Sequence, residues 1–118
     1  MEGISPANHL KSTKNETEIK GFQNAVVKDG VALTKFYIWL EKQMAEGAQV
    51  TEISAAEKLT ALRAEQPQYI MDSFGTICGY AEHGAIVHYS ATPETDATLK
   101  PEGLLLIDSG AQYLDGTT

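Results

Sequence analysis

The apolar pattern of this sequence changes its period at Pro67, and that change constrains the fold more than any other feature. Upstream, apolar residues recur at Ile19, Phe22, Val26, Leu33, Tyr37, Leu40 and Met44, in steps of three, four or seven. Such spacing predicts one face of a long amphipathic helix running to about Ala45, with Gly47 placed to stop it. Gly30 falls on this predicted face, where a missing side chain permits close packing. Two capping boxes compete for the start, Thr13-x-x-Glu16 and Asn15-x-x-Glu18, and both glutamates suit the positive end of a helix dipole. A second helix is predicted from Thr51 or Ser54, with Ser54-x-x-Glu57 as a further box. Ile53, Ala56, Leu59 and Leu62 repeat along it, and Gln66-Pro67 closes it. Ahead of both helices, residues 4–12 read as an extended lead-in, because Pro6 steers Ser5 away from helix.

Downstream of Pro67 the pattern is that of strands. Ser73 to Cys78 mixes β-branched and aromatic residues with glycine, and Gly79 to Gly84 reads as a loop. Ala85 to Tyr89 is a predicted short strand with Ile86 and His88 on one face. Thr92 to Gly103 is a long connection rich in turn formers. Leu104 to Tyr113 is the strongest predicted strand, apolar on both faces up to Ile107, as a buried central strand would be. Helices first and strands after predict an α+β domain, two helices packed on an antiparallel sheet. The expected layout is a lead-in over 1–13, two helices over 14–67 and strands over 68–118. Asp115-Gly116 is a hairpin-turn signal followed only by Thr117 and Thr118, so the chain is expected to come from something longer. A strand lacking its partner in this way would favour self-association.

Composition narrows the function classes. With 118 residues, 42% hydrophobic and 21% charged, the chain is an ordinary globular domain of one unit. Sixteen acidic against nine basic side chains give a net charge of −7, which argues against a nucleic-acid partner. The longest apolar run, Phe36 to Leu40, falls far short of the ~20 residues of a membrane span, and Met1 to Leu10 lacks the apolar stretch of a signal peptide. Cys78 is the only cysteine, so an internal disulfide is impossible and a reducing cytoplasm is expected.

Asp108 is the leading candidate for chemistry. It follows Leu104-Leu105-Leu106-Ile107 directly, and a carboxylate at the end of a buried strand is costly unless paired, hydrogen-bonded or metal-bound. It would either cap the Ser109-Gly110 turn or serve as a ligand or catalytic group. His88 is the second candidate, a structural histidine or a group that hydrogen-bonds a substrate carbonyl or shuttles a proton. Cys78, His83 and His88 stand five apart, which fits no usual zinc pattern, and Cys78 reads better as a buried small hydrophobe. No Gly-x-Ser-x-Gly elbow and no phosphate-binding glycine loop is present. Phe36, Tyr37 and Trp39 read as core.

Three stretches together resemble a known family. They are Asn15-Glu-Thr-Glu-Ile19 with Ala32-Leu33 and Trp39-Leu40-Glu41; Gly84-Ala-Ile-Val-His-Tyr89; and Leu106-Ile-Asp-Ser-Gly-Ala-Gln-Tyr113 with Asp115-Gly-Thr-Thr118. They resemble the catalytic domain of the Xaa-Pro aminopeptidases, within the pita-bread metallopeptidases, and are most similar to the cytosolic branch. The Ile-Asp-Ser-Gly-Ala-Gln-Tyr run is the specific part. The resemblance implies the first half of a pita-bread fold and removal of an N-terminal residue that precedes proline. It also implies two divalent metal ions, commonly Mn²⁺, held by two aspartates, one histidine and two glutamates. Asp108 matches the first aspartate, and His88 matches a non-ligand histidine that contacts substrate. The second aspartate would fall eleven positions after Asp108, one residue past Thr118. On this basis the chain alone is expected to be inactive. An Xaa-Pro dipeptidase and a metal-free pita-bread module that binds peptides or proteins are the alternatives; Asp108 and His88 together speak against the second.

Overall fold

The structure, a computed structural model, describes residues 6–118; Ile4 and Ser5 of the expected lead-in lie outside them. Its elements in order are α1 (Pro6–Ser12), α2 (Glu16–Ala45), α3 (Glu52–Ala64), β1 (Tyr69–Asp72), β2 (Ile77–Tyr80), a 3₁₀ helix (Ala81–Ala85), β3 (Leu105–Asp108), β4 (Ala111–Tyr113) and β5 (Gly116–Thr117). The extended lead-in is corrected to a short helix. Pro6 occupies its first position, where a fixed φ helps and a missing N–H costs nothing.

Local signals set the ends of the two long helices. Asn15 rather than Thr13 caps α2, its side chain accepting from the Glu18 backbone N–H at 2.8 Å. At the other end Gly47 takes φ +70°, and the Gly47 and Ala48 N–H groups donate to the Met44 and Gln43 carbonyls. Gly47 therefore stops α2 as expected, in a Schellman motif. Thr51 caps α3 through a box closed by Ser54, so Ser54 serves as the third helical residue and not as a cap itself.

The buried face of α2 departs from the periodic set. Gly21, Ala25, Asp29, Ala32 and Phe36 are buried, whereas Val26 and Tyr37 are exposed. Small residues occupy the stripe because backbone passes close by: a Cβ on Gly21 would lie 2.1 Å from the Asp115 carbonyl oxygen. Gly30 faces open space, so the expected packing role is not found. Leu33, Trp39, Leu40 and Met44 still pack half-buried against the main core, formed by Ala32, Phe36, Val50, Ala55, Leu59, Leu62, Cys78 and Leu99.

The strands form two antiparallel sheets, β1-β4-β5 and β2-β3. The continuous strand expected over Leu104–Tyr113 is corrected to β3 and β4, which break at Ser109-Gly110 and join different sheets. Gly110 permits the break to pack tightly, since a Cβ there would meet the Thr118 carbonyl and the Ser73 hydroxyl. Burial of β3 on both faces is corrected as well. Leu105 and Ile107 pack against the core, while Leu104 and Leu106 are 83% and 45% exposed. The hairpin turn falls at Leu114-Asp115, with Gly116 already paired to Tyr113. No helix among the described residues is long and apolar enough to cross a membrane.

Candidate functional site

Asp108 ends β3, and strand alternation decides where its side chain goes. Leu105 and Ile107 face the helices; Leu106 and Asp108 face away, exposed. The residues after β2 fold back over this outer face. Gly79 allows it, because a Cβ there would approach the His83 carbonyl and Gly84 nitrogen at 3.1 Å. The result is a cleft of about 310 Å³ lined by Ile77, residues 84–89, Leu106 and Asp108. The two leading candidates thus share one cleft. Among the described residues the Asp108 carboxylate has no hydrogen bond and no ion pair, so it does not cap the Ser109-Gly110 turn.

The strand expected at Ala85–Tyr89 does not form. Its N–H groups bond locally, Ile86 to the His83 carbonyl and Tyr89 to the Ile86 carbonyl, and no strand lies alongside. His88 sits in this turn, exposed, with φ +57°. A left-handed conformation at a residue other than glycine costs about 1–3 kcal/mol and persists only where flanking structure imposes it. Beside the cleft, a larger apolar hollow of about 600 Å³ runs along Gly79, Ala81, Gly84, Ala85 and residues 104–107.

Sequence reasoning missed the most densely bonded side chain among the described residues. Glu52, in the first turn of α3, is fully buried. Its carboxylate accepts from the Tyr80 N–H at 2.7 Å, the Ala97 N–H at 3.0 Å and the Tyr89 hydroxyl at 2.7 Å. His83 Nδ1 lies 3.0 Å from it, and the His83 ring stacks on Tyr89 at 4.7 Å. Burial pushes the Glu52 carboxyl up, but the Tyr80 N–H, the Tyr89 hydroxyl, the Ala97 N–H and His83 outweigh it and hold the group below its ordinary range. A signal for it existed: Glu52, Ala55, Leu59 and Leu62 repeat at three and four, which places the glutamate on the buried stripe of α3.

Cys78 is buried as anticipated, and its thiol is pushed up to about 12 by burial and then by Glu52 and Asp96. A thiol so protonated is a poor nucleophile. The metal test is equally direct. No group of three or more His, Cys, Asp or Glu side chains that could hold a metal occurs among the described residues. The donors in this chain therefore do not by themselves fit a dinuclear centre, which needs several carboxylates around two ions.

Residues 20–118 match the family described as metallopeptidase family M24. The chain is 42% identical over 118 residues to Xaa-Pro aminopeptidase ApepP of Drosophila melanogaster, covering 100% of this chain and 19% of that protein. It is 42% identical over 114 residues to aminopeptidase P2 of Arabidopsis thaliana, covering 97% of this chain and 16% of that one. Among solved structures it is similar to X-prolyl aminopeptidase from Caenorhabditis elegans, described as a cytosolic enzyme with a di-nuclear active site. That likeness has a TM-score of 0.92 at 38% identity and covers 98% of this chain and 19% of the other. The chain thus spans less than a fifth of the length of these relatives.

Proposed function

Because the chain belongs to metallopeptidase family M24, we propose that it supplies one wall of the active site of a dinuclear, Mn²⁺-dependent Xaa-Pro aminopeptidase. Its α+β fold is the corresponding part of a pita-bread domain. Asp108 is one metal ligand and His88 contacts the substrate peptide; the remaining ligands come from the rest of the whole enzyme, which is cytoplasmic. The observation that carries the reading is the convergence of both residues on one cleft, with the carboxylate unpaired and open to it. An imidazole there can donate to or accept from a peptide group near neutral pH. The metals, when bound, would supply an activated water and polarise the scissile carbonyl. What this chain's own residues contribute is orientation: Asp108 anchors at the strand end, and His88 steadies the peptide from the facing turn.

The test is hydrolysis of a peptide with proline at its second position by the whole enzyme that contains this chain, with Mn²⁺ added. Asp108→Ala is expected to abolish turnover together with metal uptake, and His88→Ala to lower turnover while metal uptake stays. Full activity of the Asp108 variant would overturn the assignment. The 118-residue chain alone is expected to give no turnover, and the outer edge of β3, with Leu104 and Leu106 exposed beside it, to promote self-association. Light scattering that reports a monomer at high concentration would refute the latter.

A further inference from the structure

We propose that Glu52 is the positioning residue for this cleft: its buried carboxylate ties down both ends of the Tyr80–Tyr89 segment and so fixes the turn that presents His88. The inference rests on the role given to His88 above. Three observations carry it. First, Glu52 reaches that segment at its start, middle and end, through the Tyr80 N–H, His83 Nδ1 and the Tyr89 hydroxyl. Second, the His88 side chain has no hydrogen bond or ion pair among the described residues, so its place depends on the backbone of its turn. Third, that backbone is left-handed at His88, and the next residue, Tyr89, is the one Glu52 holds. A strained conformation of this kind survives only where its neighbours are pinned.

The geometry also explains why an acid stands at this position. The segment offers Glu52 a set of donors from both backbone and side chains, and a carboxylate has acceptor sites enough for all of them. The Ala97 N–H joins the set from the long connection that precedes β3. A glutamate serving only to cap or stabilise α3 would have no reason to reach Tyr80, Tyr89 and Ala97.

The test is a double-mutant cycle in the whole enzyme that contains this chain. Glu52→Gln, Tyr89→Phe and His88→Ala are made singly, and the first two are also each combined with His88→Ala; kcat and KM are read on an Xaa-Pro peptide. If Glu52 acts through His88, Glu52→Gln lowers kcat by roughly tenfold with KM within about threefold, and adds less than about twofold in the His88→Ala background. Tyr89→Phe, which removes a single hydroxyl, is expected to show a smaller loss with the same non-additivity. It decides the matter if Glu52→Gln fails to fold. Losses that multiply in the double variants would overturn the inference, because a residue that only stabilises the fold acts independently of His88. An impaired His88→Ala beside unimpaired Glu52→Gln and Tyr89→Phe would overturn it while leaving the function intact. A His88→Ala enzyme equal to wild type would overturn the inference together with the role given to His88.

Discussion

Asp29 and Glu52 are both buried acids, and they are held by opposite means. Asp29, on α2, is gripped by a guanidinium: Arg63 Nε donates to Oδ1 at 2.8 Å and Nη2 to Oδ2 at 3.0 Å, with the Tyr113 hydroxyl added at 3.0 Å. Arg63 is fully buried, and its Nη1 has no hydrogen-bond partner among the described residues. Glu52 is held mainly by neutral donors, two of them backbone N–H groups. The first cluster locks α2, α3 and β4 together; the second shapes the cleft wall. An ion pair between side chains can be replaced whole by apolar side chains of similar volume. Backbone donors cannot be mutated away, so the acceptor at Glu52 has no apolar substitute. The comparison therefore separates an interaction the fold could do without from one it could not.

The largest expected effects break the two clusters in turn. Arg63→Ala strands the Asp29 charge and should destabilise the chain by roughly 3–5 kcal/mol in urea unfolding. Asp29→Leu with Arg63→Met should recover most of that loss. A double variant as unstable as the single one would show the pair to be indispensable and remove the contrast. Glu52→Ala is of the same order, at about 1–3 kcal/mol for each donor left unpaired, and Glu52→Leu should be no better.

The pH dependence of Glu52 sharpens the same point. Its folded pKa is lowered from the ordinary 4.5, so its ionised form stabilises the folded state at neutral pH. That contribution is present above the unfolded value and fades as pH falls through the lower folded one. The stability gap between wild type and Glu52→Gln should therefore shrink as the pH falls below 4.5. A gap that widens in acid would contradict the assignment. Tyr113→Phe removes one bond to Asp29 and should cost about 1.5 kcal/mol, measured by the same unfolding midpoint. Smallest of all, Gly30→Ala lies mid-helix in open space and should stabilise by about 0.4–1 kcal/mol, giving a firmer background for the other variants.

Much of the local structure was legible in the residues themselves. Asn15, Gly47 and Thr51 mark helix ends through bonds to groups a few residues away, and such bonds can be written from sequence. The family resemblance was legible for a related reason: the Ile107-Asp-Ser-Gly-Ala-Gln-Tyr113 run carries its specificity in contiguous residues. Apolar periodicity was a poorer guide. On the first half of α2 the larger apolar side chains, Ile19 and Val26, did not mark the buried face, because the turn at Asp115 comes so near that Gly21 fits and larger residues would not.

By itself, the sequence determined an α+β chain with two long capped helices, its membership of a metallopeptidase family, and Asp108 and His88 as the residues to watch. Tertiary structure alone decided that Leu104–Tyr113 is two strands in two sheets, that His88 rides on a turn and not a strand, and which groups hold Glu52 and Asp29. The physical reason is the range of the interactions. Glu52 takes its partners 28 to 45 positions along the chain, and Asp29 meets Arg63 and Tyr113 at separations of 34 and 84. A carboxylate looks the same in sequence whether water or a distant backbone N–H will satisfy it, and only the folded chain makes that choice.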